Sequence, residues 1–257
     1  MAKISIVTVV YNGERYLEKT ILSVVKQTYK DIEHIVVDGG SSDGTLAILK
    51  KYGSDIDVMI SESDKGLSDA MNKGANLASG DWILYLHADD TFSNASSVQK
   101  LMDAAVKKPT ANWITAYLRF QNNTGEIFRK DLFHEISWSR MMIRNVIRHQ
   151  STMVRLKASI DIQFDHKYKH AMDYDYFLRL WKKYGSPEVI NQYISDFRLD
   201  GTNLSSDYFA SLKDEMRVRV DFRKINTENY KLPFDYLIYL LRYLKIVFIH
   251  NRNKNVE

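Results

Sequence analysis

The sequence predicts an α/β fold: a mostly parallel sheet flanked by helices, with antiparallel additions and a C-terminal helical tail. Three observations predict it. Short apolar runs alternate with helical periodicity through the first hundred or so residues, the signature of parallel strands joined by right-handed crossover helices. The run Trp82–His87 carries almost no polarity, as a strand buried on both faces requires. Beyond Pro109 the alternation stops, and Trp113–Phe120 and Gly125–Arg129 read as a hairpin around Asn122-Asn123-Thr124-Gly125.

The elements follow in order. Residues 3–10, KISIVTVV, are the first strand, and Tyr11-Asn12-Gly13 is the turn that ends it. Leu17, Ile21, Val24 and Val25 recur at helical spacing, so Glu14–Gln27 is expected to be a helix with one buried face. A second strand, His34–Val37, runs into Asp38-Gly39-Gly40-Ser41-Ser42-Asp43-Gly44-Thr45. Glycines there permit tight turning or close approach to a ligand. Asp43 and Thr45 suit the turn and the cap of a helix over Leu46–Tyr52. Val58–Ile60 is a short third strand, and Leu67, Ala70, Met71, Gly74, Leu77 and Ala78 mark the buried stripe of the next helix. The hairpin belongs to antiparallel material added to the sheet. Asp173–Lys183 is helical, Val189–Phe197 is a strand, and Arg198–Asp207 is a polar loop. Two further helices, Tyr208–Lys224 and Phe234–His250, complete the chain. The expected division is 1–210 as one domain, with 1–110 and 111–210 as its halves, and 211–257 as the tail.

Bulk properties narrow the classes. The 257 residues are 45% apolar and 26% charged, ordinary for a soluble globular protein. A net charge of +4 is too small to indicate a dedicated nucleic-acid binder. The chain has no cysteine, which excludes a disulfide framework and thiolate metal sites and fits a reducing compartment. The first strand begins at once, leaving no room for a signal peptide. No apolar run reaches the roughly 18 residues of a membrane span.

The chemistry centres on Asp89-Asp90. Open α/β sheets bind ligands at the carboxyl ends of their strands, and these two acids end the Trp82–His87 run. Adjacent carboxylates repel unless positive charge lies between them. A divalent cation shared with a diphosphate supplies it, because Mg²⁺ takes only one or two protein carboxylates. The competing reading is that Asp90 caps the next segment and Asp89 is solvated.

The ordered motifs ISIVTVVYNG, VVDGGSSDGT, SDKGLSDAMNKG, ASGDWILYLHADD, HQS and MDYDYFLRL resemble the inverting family 2 glycosyltransferases of bacterial polysaccharide assembly. The resemblance covers residues 3–205 and implies the GT-A fold, a nucleotide-sugar donor, and Mg²⁺ or Mn²⁺. It also implies transfer with inversion. The acceptor is expected to be a glycan or lipid-linked, with protein left open, and the expected location is cytoplasmic. By position it implies that Thr8, Val10 and Asn12 line the nucleoside end and that Asp38 accepts hydrogen bonds from the base, most simply uracil. Asp64 and Asn72 then lie near the ribose and sugar. On chemical grounds Lys65 or Arg198 can screen the leaving phosphates, and Asp89 can contact the donor or assist the metal. Asp90, with Asp89, forms the metal motif. Asp173 takes the place of the catalytic base.

Two departures accompany the match: His87 stands where relatives carry a carboxylate or asparagine, and Met172 replaces a frequent glutamate. His87 is read as a supporting or core residue. His149 is equally compatible with metal or phosphate contact and with a structural role. Asp175 also competes for the role of base, but positions i and i+2 of a helix face different sides, so only one of the two acids can face a cleft. Asp173 can alternatively cap its helix.

Other classes remain open at this level. A sugar-nucleotidyl transferase needs a glycine-rich phosphate loop after the first strand, and Tyr11-Asn12-Gly13-Glu14-Arg15 has one glycine and an acid. A non-catalytic donor-binding subunit has no need of acids at 89, 90 and 173. The segment Pro233–His250, apolar but interrupted by Asp235, Arg242 and Lys245, suits an interfacial helix on the inner face of the cell membrane. Packing on protein is the alternative.

Overall fold

The computed structural model describes residues 2–199 and 207–254, of which 249–254 as backbone alone. It is a GT-A type α/β fold built on one nine-stranded sheet. The first half contains β1 (Ile4–Val10), α1 (Leu17–Val25), β2 (Ile32–Asp38), α2 (Thr45–Lys51), β3 (Val58–Ser61), α3 (Leu67–Leu77) and β4 (Trp82–Tyr85). There follow β5 (Thr91–Phe92), α4 (Ser97–Lys107), β6 (Trp113–Gln121), β7 (Ile127–Lys130), α5 (Trp138–Met141), β8 (Thr152–Arg155) and α6 (Leu156–Ile162). The chain closes with α7 (Met172–Tyr184), β9 (Glu188–Arg198), α8 (Tyr208–Ile225) and α9 (Leu232–Lys254).

The strand order is β3-β2-β1-β4-β8-β6-β9-β5, with β7 paired to β6. The four strands β3, β2, β1 and β4 are mutually parallel. Every residue of β1 and of β4 is buried, which is why those strands read as unbroken apolar runs. Beyond β4 the sheet turns antiparallel through β8, and the expected hairpin is β6 with β7. The chain enters β1 in the middle of the sheet and builds outward to β3 before returning to β4. The gap between the ends of β1 and β4 is therefore the switch point at which such sheets bind ligands.

Boundaries shift where turn chemistry intervenes. The first helix begins at Leu17 rather than Glu14, because Glu14 faces α2 instead: its carboxylate accepts Gly44 N–H at 2.6 Å and its own N–H donates to Asp43 at 3.1 Å. The strand carrying the acids ends at Tyr85, two residues before the apolar run does. The polar loop expected over Arg198–Asp207 lies mostly outside the described residues; its last residue, Asp207, accepts Ala210 N–H at 2.9 Å and caps α8.

The helices α8 and α9 are tied to the rest by buried charge as well as by apolar packing. Val218 and Phe222 of α8 join the main core. Asp235 of α9 is fully buried and accepts Arg223 Nε at 3.0 Å, with Arg219 Nε 3.7 Å away. Removing one partner from a buried pair of this kind typically costs ~3–5 kcal/mol.

Candidate functional site

Two cavities open at the carboxyl ends of the parallel strands. One, of about 910 Å³, is walled by the turn after β1 (Val10, Asn12, Gly13), by Gly39 and Gly40 after β2, and by Asp64 and Gly66 before α3. The other, of about 510 Å³, is walled by Phe120, Arg129, Arg148, His149, Lys169 and Asp173 among others. The two share Leu67, His87 and Asp89. The segment after β4 thus forms the boundary between them.

Asp90 lies beneath that boundary. It is fully buried, and its Oδ1 accepts Arg198 N–H at 3.0 Å across the start of the loop after β9. It therefore ties strand β9 to the site rather than capping the segment after it. Its Oδ2 is buried with no hydrogen-bond partner, and so are Nε2 of His87 and Nε2 of His149. Ligand atoms of His87, Asp90 and His149 lie within 4.8 Å of one another, and the two imidazole rings are 4.5 Å apart. Burial, and next the charge of Asp89, push the Asp90 carboxyl well above its usual range, against the pull of Arg198 and of the Gln150 side chain. Burial, and next the neighbouring His149, push His87 well below the usual imidazole value. A neutral imidazole is the metal-binding form, and a carboxylate in this setting calls for positive charge. Two imidazoles and a carboxylate with buried polar atoms and with ligand atoms this close together fit a divalent cation. Sequence reading placed His87 in support only. Its signal was the replacement of an acid by another ligand type inside the metal motif.

Asp89 lines both cavities. Its carbonyl accepts Arg198 Nε at 3.2 Å, and that guanidinium lies 3.9 Å from the Tyr16 ring centroid. Arg198 thereby braces the acidic turn from below.

Asp173 opens α7 and lines the smaller cavity. The N-cap position is Ala171, and Asp173 sits within the first turn. It accepts Asn145 Nδ2 at 2.9 Å and Tyr174 N–H at 2.8 Å, with His149 Nδ1 at 3.7 Å. Asp175 is buried on another side of the helix and accepts from Arg179 Nε at 2.8 Å. Burial raises its pKa, with Arg179 opposing.

The residues expected at the donor divide sharply. Val10, Asn12 and Asp64 line the larger cavity. Asn12 adopts a left-handed φ of 49° and accepts Ser42 N–H at 2.9 Å, shaping the loop across from it. Asp38 is buried with its oxygens already taken, by Gly40 N–H (3.2 Å), Ser41 N–H (3.1 Å), Ser41 Oγ (2.5 Å) and Ser61 Oγ (2.6 Å). A carboxylate has about four lone-pair sites, so Asp38 is saturated by its own loop. Thr8 is likewise consumed: it is buried, 3.1 Å from His34 Nε2, and burial holds His34 at about 4, in its neutral form. Asn72 is bonded at both ends to the backbone of Phe164, at 2.9 and 2.8 Å, and straps α3 to the segment after α6. Lys65 lines neither cavity; its N–H donates to Asp69 at 3.0 Å. Asp38, Thr8 and Asn72 are thus bonded within the protein itself, to neighbouring backbone and side chains.

A sheet with an acidic turn at its switch point and two cavities meeting there fits a glycosyltransferase of GT-A architecture. The model of glycosyl transferase family 2 matches residues 5–177, and the chain belongs to that family. Over 246 residues it is 29% identical to the UDP-Glc:alpha-D-GlcNAc-diphosphoundecaprenol beta-1,3-glucosyltransferase WfgD of Escherichia coli, covering 95% of this chain and 92% of that one. An uncharacterized glycosyltransferase of Haemophilus influenzae is 28% identical over 226 residues, 80% of this chain and 68% of that one. Among solved structures, S. aureus TarS 1–349 in complex with UDP-GlcNAc superposes with a TM-score of 0.69 at 21% identity. That match covers 85% of this chain, which spans 65% of the TarS chain. The mannosyltransferase PcManGT from Pyrobaculum calidifontis, in complex with GDP-Man and Mn²⁺, gives 0.66 at 12% identity, covering 93% and 73%.

Proposed function

We propose that this glycosyltransferase moves a sugar from a UDP-sugar to a hydroxyl of a lipid-linked glycan, with inversion in a single displacement aided by a divalent cation. The junction of the two cavities at His87 and Asp89 carries the reading. A donor seated in the larger cavity presents its sugar at Asp89, and an acceptor in the smaller one meets it beside Asp173. Direct attack from the far side of the sugar inverts the anomeric centre. WfgD's named UDP-glucose donor and diphosphoundecaprenol-linked acceptor and the UDP-GlcNAc in TarS support the choice of substrates.

The roles follow from position. Asp173 takes the proton of the attacking hydroxyl, a contribution of ~10²–10⁴-fold for a placed base. Val10, Asn12 and Asp64 hold the nucleoside, and Asp89 orients the donor. Asp90, with His87 and His149, would hold the cation, which when bound would supply Lewis-acid neutralisation of charge on the leaving diphosphate. Two imidazoles beside one carboxylate favour Mn²⁺ over the harder Mg²⁺.

The deciding experiment screens nucleotide sugars against a diphosphate-linked glycolipid acceptor, with Mn²⁺, with Mg²⁺ and in EDTA. Metal-dependent release of UDP coupled to acceptor glycosylation is expected. Undiminished transfer in EDTA would remove the cation from the reading. Diphosphate release from a nucleoside triphosphate would replace transferase by nucleotidyl transferase.

A further inference from the structure

Asn145 lies in the segment between α5 and β8 and meets Asp173, 28 residues away in the chain, at 2.9 Å through its Nδ2. Its Oδ1 accepts the N–H of Ile147 at 3.0 Å. The amide is thus oriented: flipping it would set an oxygen against a carboxylate and leave Ile147 N–H facing a donor. The other oxygen of Asp173 is held by Tyr174 N–H at 2.8 Å.

The segment itself is fastened from three helices. Tyr174 of α7 donates its hydroxyl to Met141 O at 2.6 Å. Arg219 of α8 donates Nη1 to Ile143 O at 3.2 Å, and Arg242 of α9 donates Nη1 to the same carbonyl at 3.1 Å. Neither arginine is loose. Arg219 is fully buried beside Asp235, and Arg242 is paired with Glu215 of α8.

We propose that Asn145 is the positioning residue for the base and that the two C-terminal helices are its anchor. The proposal rests on reading Asp173 as that base. A carboxylate on the first turn of a helix can swing about its side-chain torsions. Fixing one oxygen with an oriented amide leaves a defined lone pair for the acceptor hydroxyl, and misplacement of about an ångström can cost ~10²-fold. A strut serving only the loop would need the Ile147 bond and nothing more.

The test is a double-mutant cycle on the full chain, with kcat, donor KM and thermal midpoint recorded for each variant. Asn145→Asp keeps the Ile147 acceptor but cannot donate to Asp173. It is expected to lower kcat roughly 10²-fold with donor KM unchanged, and to cost little or nothing further when Asp173 is already Asn. Arg242→Ala, on α9, is expected to lower kcat several-fold with the same unchanged donor KM, and Arg242→Lys to recover part of it. Wild-type kcat in Asn145→Asp overturns the proposal. So does a full additional loss in the Asp173→Asn background, which would make Asn145 a plain structural strut. Full activity of Asp173→Asn would instead overturn the base assignment on which both readings stand.

Discussion

The carboxylate of Asp64 fills the space that a side chain on Gly39 would need: a Cβ at Gly39 would lie 2.5 Å from Asp64 Oδ2. Both residues wall the larger cavity, whereas Asp38 next door has its oxygens satisfied by Gly40, Ser41 and Ser61. Oδ1 of Asp64 accepts Gly66 N–H at 2.8 Å, and we propose Asp64, rather than Asp38, as the acceptor for a nucleobase, with Gly39 leaving room for its Oδ2. Asp64→Asn is expected to weaken UDP binding about 10–100-fold, the worth of a hydrogen bond to a charged group. Gly39→Ala should weaken it similarly with little loss of stability, because the clash is with the end of a flexible side chain. Calorimetry with UDP, dTDP and GDP decides it. Tighter GDP than UDP, or an Asp64→Asn protein with unaltered UDP affinity, would reject the assignment.

The two acids of α7 should separate cleanly. Asp173→Asn is expected to cut kcat by ~10²–10⁴-fold and leave donor binding intact. Asp175→Asn removes a buried partner of Arg179, so its expected cost is stability, about 1–3 kcal/mol, with turnover retained. Steady-state kinetics beside thermal melts of the two variants give the comparison. A dead Asp175→Asn alongside an active Asp173→Asn would reverse the roles.

What the sequence disclosed follows from how each part is stabilised. Strands β1 and β4 are buried on both faces, so burial itself wrote the parallel half as apolar runs ending in turns and acids. The antiparallel half is less explicit: β5 is two residues, Thr91–Phe92, paired with Ser195 and Asp196 far along the chain, and no local pattern announces such a bridge. Helix α4 carries a local signal of its own. Its buried Val98, Leu101, Met102 and Ala105 keep helical spacing. Within the site, charged residues at strand ends were legible as types, but their final partners were not. Asp38, Thr8 and Asn72 are spent on internal hydrogen bonds. His87 looked like a strand residue because its neighbours are apolar, and Asn145, in a loop without periodicity, gave no signal.

Glu33 sets an acid limit on stability. Burial alone would raise its pKa, but hydrogen bonds from Ser5 Oγ, Ser79 N–H, Ser79 Oγ and Lys3 together outweigh burial and hold it at about 2. A carboxylate depressed in the folded state contributes stability that is complete above its unfolded value and lost as pH falls through the folded one. The fall from 4.5 to about 2 corresponds to about 3 kcal/mol. Glu33→Gln should therefore be less stable than wild type by ~2–3 kcal/mol near neutrality. The deficit should shrink as pH drops from 4.5 towards 2. Urea unfolding across that window measures it, and a deficit independent of pH would show that the loss is packing rather than charge.

Helix α9 presents two faces with different business. Inward, Asp235 is paired with Arg223 and Arg219, Ile238 is buried, and Arg242 reaches Glu215 and the Ile143 carbonyl. Outward, Phe234 (57% exposed), Leu237 (49%), Leu241 (58%), Leu244 (53%) and Phe248 (69%) form a stripe at spacings of three and four. Asp235 is the helix's one carboxylate and faces in, so the outer face carries Lys245 and tyrosines beside the stripe and no acid. No helix among the described residues is long and apolar enough to cross a membrane. A stripe of this kind, edged with tyrosine and cation, suits the surface of an anionic bilayer, where a lipid-linked acceptor would also be found. Each basic residue near such a surface adds roughly 1 kcal/mol, and each apolar side chain buried there up to ~1.5–3 kcal/mol. The full chain is expected to float with anionic vesicles, to be released by salt, and to stay in solution when Leu237, Leu241 and Leu244 are changed to Ser. Because those three are about half exposed, the variant should lose little of the wild-type melting temperature. A full chain that ignores anionic vesicles at low salt but sediments as a dimer would give the stripe to a second copy of the protein.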